Sequence, residues 1–168
     1  MSEPIRHDMG NVVTLKCGME APHFTAEDSA GNVWELNDIL AEGKRVVLYF
    51  YPKDSTPGCT KQACDFRDNM GTLSSAKVAV FGVSKDSLKS HQKFTEKQEL
   101  NFPLLLDTEG ELLEKYGVWR EKKNYGRTYM GIARSTFVID IDGTLSMAKY
   151  GVKATGHVAR VLKHLELE

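Results

Sequence analysis

The chain has 168 residues, 41% of them hydrophobic and 27% charged, with a net charge of -1 at neutral pH. That composition suits a single domain spanning residues 1–168 and leaves no basic footprint for nucleic-acid phosphates or anionic lipid. No apolar run approaches the roughly 20 residues that cross a bilayer, and Met1 to Thr14 carry no secretory hydrophobic block, so the expected partners include no membrane and the expected location is cytoplasmic.

In chain order, Val12 to Trp34 mixes apolar and polar residues around a Gly31-Asn32 pair, which predicts an N-terminal β-hairpin. Arg45 to Tyr51 is a continuous β-branched and aromatic run ending at Pro52, the pattern of a central strand buried on both faces. A polar turn with Pro57 and Gly58 follows. Thr60 to Leu73 then places Ala63, Phe66, Met70 and Leu73 at helical spacing. Ala79 to Val83 is a second buried strand, and Ser87 to Gln98 a charged helix capped by Ser87, with Leu88 and Phe94 expected to face inward. Leu104 to Leu106 is a short apolar run and Glu111 to Tyr116 a short helix. Ser135 to Ile139 and Leu145 to Tyr150, joined through Asp142-Gly143, predict an antiparallel hairpin. Gly156 to Leu165 closes the chain as an amphipathic helix. The order, a βαβ half followed by a β-hairpin and a terminal helix, is that of an α/β thioredoxin fold with an extra N-terminal β-hairpin and an insertion across Tyr116 to Ala133.

Fold does not give function, so the chemistry has to come from a site. The three cysteines, Cys17, Cys59 and Cys64, are too few for a secreted disulfide framework. Cys59 follows the carboxyl end of the expected central strand and opens the next helix, where ligands and catalytic groups collect in open α/β sheets. Unpaired amides and the positive end of a helix dipole favour a thiolate there over the thiol. The competing reading is an ordinary core cysteine, against which the polar, proline-bounded loop weighs. Ionisation alone gains little, because a free thiol is already about 3% thiolate at pH 7. Larger acceleration requires neighbours that orient a substrate and stabilise charge on its leaving group.

Within Tyr51 to Thr60, the residues Pro52, Thr56 and Cys59 stand in the spacing P-x-x-x-T-x-x-C, which resembles the active-site loop of the peroxiredoxins. Cys64, the flanking Tyr49 to Lys53 and the segment Gly131 to Asp140 resemble the bacterioferritin-comigratory, or peroxiredoxin Q, subfamily, and Gly82 to Ser84 and Asp86 fit it as well. The resemblance implies that Cys59 attacks a hydroperoxide to give a sulfenic acid and that Cys64 resolves it as an intramolecular disulfide. It also implies that the Thr56 hydroxyl contacts the peroxide, that Pro52 shields the pocket, and that Arg134 holds the thiolate and polarises the peroxide. A thioredoxin-type reductant is the implied partner and the implied state is a monomer, with a weak dimer as the alternative. No cofactor is called for. The competing readings are a surface ion pair for Arg134, a helix cap for Thr56 and a small core-facing residue for Cys64.

The C-x4-C spacing carries a geometric demand of its own. Five residues along one helix separate the two Cα atoms by about 8 to 9 Å, beyond the roughly 7 Å that a disulfide tolerates, so a bond between them requires the helix start to unwind. A general thiol-disulfide oxidoreductase would share the fold but normally carries C-x-x-C, and a zinc module built on Cys59, Cys64 and a histidine would have an incomplete ligand set. Cys17 reads as structural. His7, His23, His91, His157 and His164 lack ligand-like spacing and read as surface or packing residues, with no metal assigned. Arg120 to Lys123 reads as a solvated charged loop and Trp119 as packing.

Overall fold

The structure is a computed structural model that describes residues 12–167. The reading of Met1 to Thr14 as free of a leader falls mostly outside the described residues, as does His7.

Strands β1 (Thr25–Glu27) and β2 (Val33–Glu35) form an antiparallel hairpin in which Ala26 faces Trp34. It is much shorter than the segment read as hairpin. Its turn is organised by Asp28, whose carboxylate accepts from the amides of Ala30 and Asn32 (2.8 and 3.0 Å) and from Trp34 Nε1 (2.8 Å). Helix α1 (Leu36–Ala41) leads into β3 (Arg45–Phe50), the middle strand of the main sheet. Next come α2 (Pro57–Asp68), α3 (Met70–Ser75), β4 (Val78–Ser84), α4 (Leu88–Gln98), β5 (Leu104–Leu106) and α5 (Glu111–Lys115). Strands β6 (Trp119–Asn124) and β7 (Arg127–Ile132) pair with each other, and β8 (Ser135–Ile139), β9 (Leu145–Tyr150) and α6 (His157–His164) complete the described chain. The five-stranded sheet runs β5-β4-β3-β8-β9, with β3, β4 and β5 parallel and β8 and β9 antiparallel to their neighbours. This mixed α/β architecture is the expected thioredoxin fold.

The side-chain period of two along β3 divides the core. Val46, Leu48 and Phe50 join one apolar cluster with Phe81, Tyr116, Phe137 and the α1 residues Leu36 and Ile39. Val47, Tyr49 and Tyr51 join a second with Cys59, Ala63, Phe66, Phe94 and the α6 residues Val158 and Val161. Helix α2 therefore packs on the second face of the sheet.

Three expectations require correction. The helix read across Thr60 to Leu73 starts earlier, because Pro57 takes the first helical position, where its missing N–H is harmless. It also breaks at Asn69 (φ -110°, ψ 7°), whose side-chain amide donates back to Asp65 O at 2.8 Å. On α4 the inward residues are His91 and Phe94, while Leu88 stays 46% exposed. The run Arg120 to Lys123 is strand β6 and not a loop, closed against β7 by a two-residue turn with both Tyr125 (φ 52°) and Gly126 (φ 77°) left-handed. No alternation marked it as a strand, because most of that arm has no buried face.

Candidate active site

The main chain leaves β3 at Phe50, passes Tyr51 to Ser55 and enters α2 with Thr56 in the N-cap position (φ -82°, ψ 155°). Thr56 O accepts the first helical bond from Thr60 N at 2.8 Å. Its hydroxyl makes no cap bond and donates instead to Lys53 O at 2.9 Å. The helix-cap reading of Thr56 thus holds for its backbone and fails for its side chain. Pro52 and Thr56 are both half-buried. Between them, Ser55 takes a left-handed conformation (φ 66°), which costs about 1 to 3 kcal/mol for a non-glycine residue and persists only where neighbours enforce it.

Cys59 lies in the first turn of α2, where the amides of Gly58 and Cys59 have no intrahelical acceptor. Its thiol is 2% exposed, packed in the second core cluster, which corrects the expectation that the polar loop would keep it from burial. The loop is no barrier to burial: Tyr51 and Asp54 are themselves enclosed, with the Tyr51 hydroxyl donating to the Asp54 carboxylate at 2.6 Å. Arg134, which immediately precedes β8, reaches back across the sheet end. Its Nη2 donates to Cys59 Sγ at 3.4 Å and its Nη1 to Gln62 Oε1 at 2.7 Å. Arg134 is therefore not a surface ion pair. Cys64 is on the same helix, half-buried, with Sγ 3.5 Å from Gln98 Oε1 on α4. Both cysteines, and Cys17, are free thiols. Cys17 is exposed and directs its Sγ to Ser146 O at 3.4 Å.

Several participants were not foreseen. Gln62, wholly buried, holds the guanidinium, and its own Nε2 has no protein partner. Gly58 leaves room for the arginine, since a Cβ there would stand 3.3 Å from Arg134 Nη2. Tyr49 stacks on Phe66 at 4.7 Å and its buried hydroxyl is unpartnered. Burial, reinforced by the negative charges of Cys59 and Asp54, pushes that phenol well above its usual range, so it stays protonated. Gly82 makes space for the ring, because a Cβ at that position would lie 3.0 Å from the Tyr49 hydroxyl. His157 is buried, shares a 2.7 Å bond with Thr136 Oγ1 and is pushed down to about 4 by burial and by Arg160 and Arg134, so near neutrality it adds no second cation beside the arginine.

A second polar group adjoins the loop. Asp54, Asp86 and His91 bring ligand-type atoms within 4.8 Å of one another, a proximity invisible in their spacing. Their polar atoms are engaged with protein: His91 Nδ1 meets Asp54 Oδ2 at 2.7 Å, His91 Nε2 meets Leu105 O at 3.0 Å, and Asp86 Oδ2 accepts from Ser84 Oγ and Asp54 N. The group is a hydrogen-bonded network.

A thioredoxin fold with a cysteine in the first turn of the helix after the central strand, and an arginine from the far half of the chain at its sulfur, defines a class of thiol-based oxidoreductase. Residues 17–148 match the AhpC/TSA family. The chain is 48% identical over 159 residues to a Mycobacterium tuberculosis protein bearing a provisional peroxiredoxin name, covering 95% of this chain and 100% of that one. It is 46% identical over 154 residues to peroxiredoxin Bcp of Bacillus subtilis, with 92% and 97% covered. The solved Xanthomonas campestris bacterioferritin comigratory protein, described for alkyl peroxide reduction, superposes with a TM-score of 0.79 at 38% identity over 85% of this chain and 90% of that one. The chain belongs to the AhpC/TSA family and, within it, to the bacterioferritin-comigratory, or peroxiredoxin Q, subfamily. It is a thiol-dependent peroxidase.

Proposed function

We propose that Cys59 is the peroxidatic cysteine, that Cys64 resolves it, and that hydrogen peroxide and organic hydroperoxides are the substrates. The observation that carries this reading is the 3.4 Å approach of Arg134 Nη2 to Cys59 Sγ at the open amides of α2. A fixed guanidinium and a helix N-terminus stabilise negative charge on the sulfur and on an oxygen leaving it. In the first step the Cys59 thiolate bonds to the terminal peroxide oxygen and the O–O bond breaks. The departing alkoxide or hydroxide takes a proton and leaves as alcohol or water, while the sulfur, oxidised by two electrons, becomes a sulfenic acid. The half-buried Thr56 hydroxyl, able both to donate and to accept, orients the peroxide, and Pro52 walls the approach.

In the second step the Cys64 sulfur attacks the sulfenic sulfur and the S–O bond breaks with release of water. Because Cys59 and Cys64 share α2, with Cα atoms about 8 to 9 Å apart along an ideal helix, this bond requires the first turns of α2 to unwind. A dithiol reductant of the thioredoxin type then restores both thiols. From membership of the subfamily we infer a monomeric working unit, with a weak dimer as the alternative, in a reducing compartment such as the cytoplasm.

Peroxide consumption coupled to reduced thioredoxin, with mass spectrometry of the oxidised chain, tests the assignment. Cys59→Ser is expected to abolish turnover. Cys64→Ser is expected to consume about one equivalent of peroxide and stall. Sustained turnover by the Cys59 variant removes that residue from its role, and a disulfide to Cys17 in the wild type removes Cys64 from its own.

A further inference from the structure

Asp54 lies five residues before Cys59 and its side chain is enclosed. One carboxylate oxygen accepts from the Tyr51 hydroxyl at 2.6 Å, and the other meets Ser90 Oγ at 2.9 Å and His91 Nδ1 at 2.7 Å. The backbone amide of Asp54 is held as well, by Asp86 Oδ2 at 2.8 Å. His91 is fully buried, and its second ring nitrogen meets the β5 carbonyl of Leu105 at 3.0 Å. A carbonyl oxygen only accepts, so Nε2 carries a hydrogen and the ring bridges loop to sheet. The catalytic loop is thus bound to α4 and β5 through one carboxylate and one imidazole, immediately before the left-handed Ser55 and the N-cap Thr56.

Neither side chain is among the groups found at the Cys59 sulfur. A buried polar pair of this kind adds little net stability over an apolar pair of equal volume, but it allows few geometries, because every lone pair and proton must find its partner. What the pair supplies here is direction. It fixes where Thr56 enters α2 and hence where the first helical turn meets Arg134.

We propose that Asp54 and His91 are positioning residues for the peroxide step, and that the same clamp opposes release of the α2 N-terminus in the resolving step. The proposal rests on the roles of Cys59 and Cys64 given above. The pair then sets the ratio of the two rates: the clamped loop is the form that meets peroxide, and the released loop is the form in which Cys64 reaches the sulfenic acid.

The two steps can be timed separately on the full chain. Sulfenic-acid formation is followed in a Cys64→Ser background by rapid quench and trapping with a carbon nucleophile, and disulfide formation is followed with Cys64 intact by quenched-flow mass spectrometry. Asp54→Ala is expected to slow the first step about 10- to 100-fold while leaving the second unchanged or faster. Asp54→Asn keeps the shape of the side chain, its amide oxygen still accepting from Tyr51 and its amide nitrogen newly able to donate toward His91 Nδ1 or Ser90 Oγ, so it is expected to recover most of the lost rate. Circular dichroism reports whether each variant is folded. If Asp54→Ala does not fold, His91→Gln and Ser90→Ala are timed in the same way, with the same opposed effects expected at smaller size. Equal slowing of both steps, or an unchanged first step in a folded variant, overturns the proposal. Retained peroxide consumption by Cys59→Ser would instead overturn the reading on which it stands.

Discussion

Gly58 and Arg134 occupy one small space. A methyl group at position 58 would stand 3.3 Å from the guanidinium and 3.6 Å from the Ala154 side chain, so the arginine would have to yield. Arg134→Ala is expected to slow peroxide attack far more than disulfide formation. Gly58→Ala should repeat that selectivity in weaker form, even though alanine favours a helix over glycine by up to about 1 kcal/mol. A lower peroxide rate with an undiminished thermal midpoint is the expected pair of results; an unchanged rate would mean that the guanidinium has slack. At this scale the sequence was most legible where chemistry is local. Cys59 could be singled out from its place between a buried strand and a helix, and Thr56 and Pro52 stand in the same short segment, though their roles came through resemblance. Arg134 was likewise placed through resemblance, Tyr49 was noted only as part of a matching segment, and Gln62, Asp54 and His91 were given no role because each gains its meaning from a partner brought close only by folding, as when residue 91 meets residue 54.

Among the elements, α2 is the one that the proposed resolving step requires to move. Its first turn has no side-chain cap from Thr56; Cys59 and Ala63 enter the second core cluster, and Cys59 and Gln62 meet Arg134. Amide exchange compared between reduced and peroxide-oxidised protein is expected to show lost protection from Thr60 to about Cys64, with β3 and β8 unchanged. Identical exchange in the two states would rule out unwinding. The strands and helices with one continuously or periodically apolar face, such as β3 and α6, were readable from pattern. The β6–β7 arm was not, because a ribbon exposed on both sides has no reason to alternate. The break at Asn69 depends on one side-chain bond that periodicity does not encode.

For the molecule as a whole, acid is the predicted weakness. Burial, with the nearby Arg160 and Arg134, depresses His157 from 6.5 to about 4, so between those values the unfolded chain binds a proton that the folded chain refuses. Stability is therefore full above about pH 6.5 and falls as the pH drops toward 4, by on the order of 3 kcal/mol from this residue. Urea midpoints measured at pH 7.5, 5.5 and 4.5 should decline for the wild type, with a shallower decline for His157→Gln, which keeps a neutral partner for Thr136. Parallel declines would assign the acid sensitivity elsewhere.

The sheet that parts the two cores also sorts their sulfur. Cys59, Met70 and the half-covered Met147 pack on one side, that of the proposed peroxidatic thiol. The opposite cluster, from Leu15 to Leu145 by way of Leu48 and Phe137, is built among the described residues from aliphatic and aromatic side chains without sulfur. Thioethers and thiols are the packing groups that oxidants convert to polar ones. An enzyme whose trade is with oxidants thus keeps one of its two described cores free of sulfur, a keel in which stray oxygen transfer to thiol or thioether has nothing to attack.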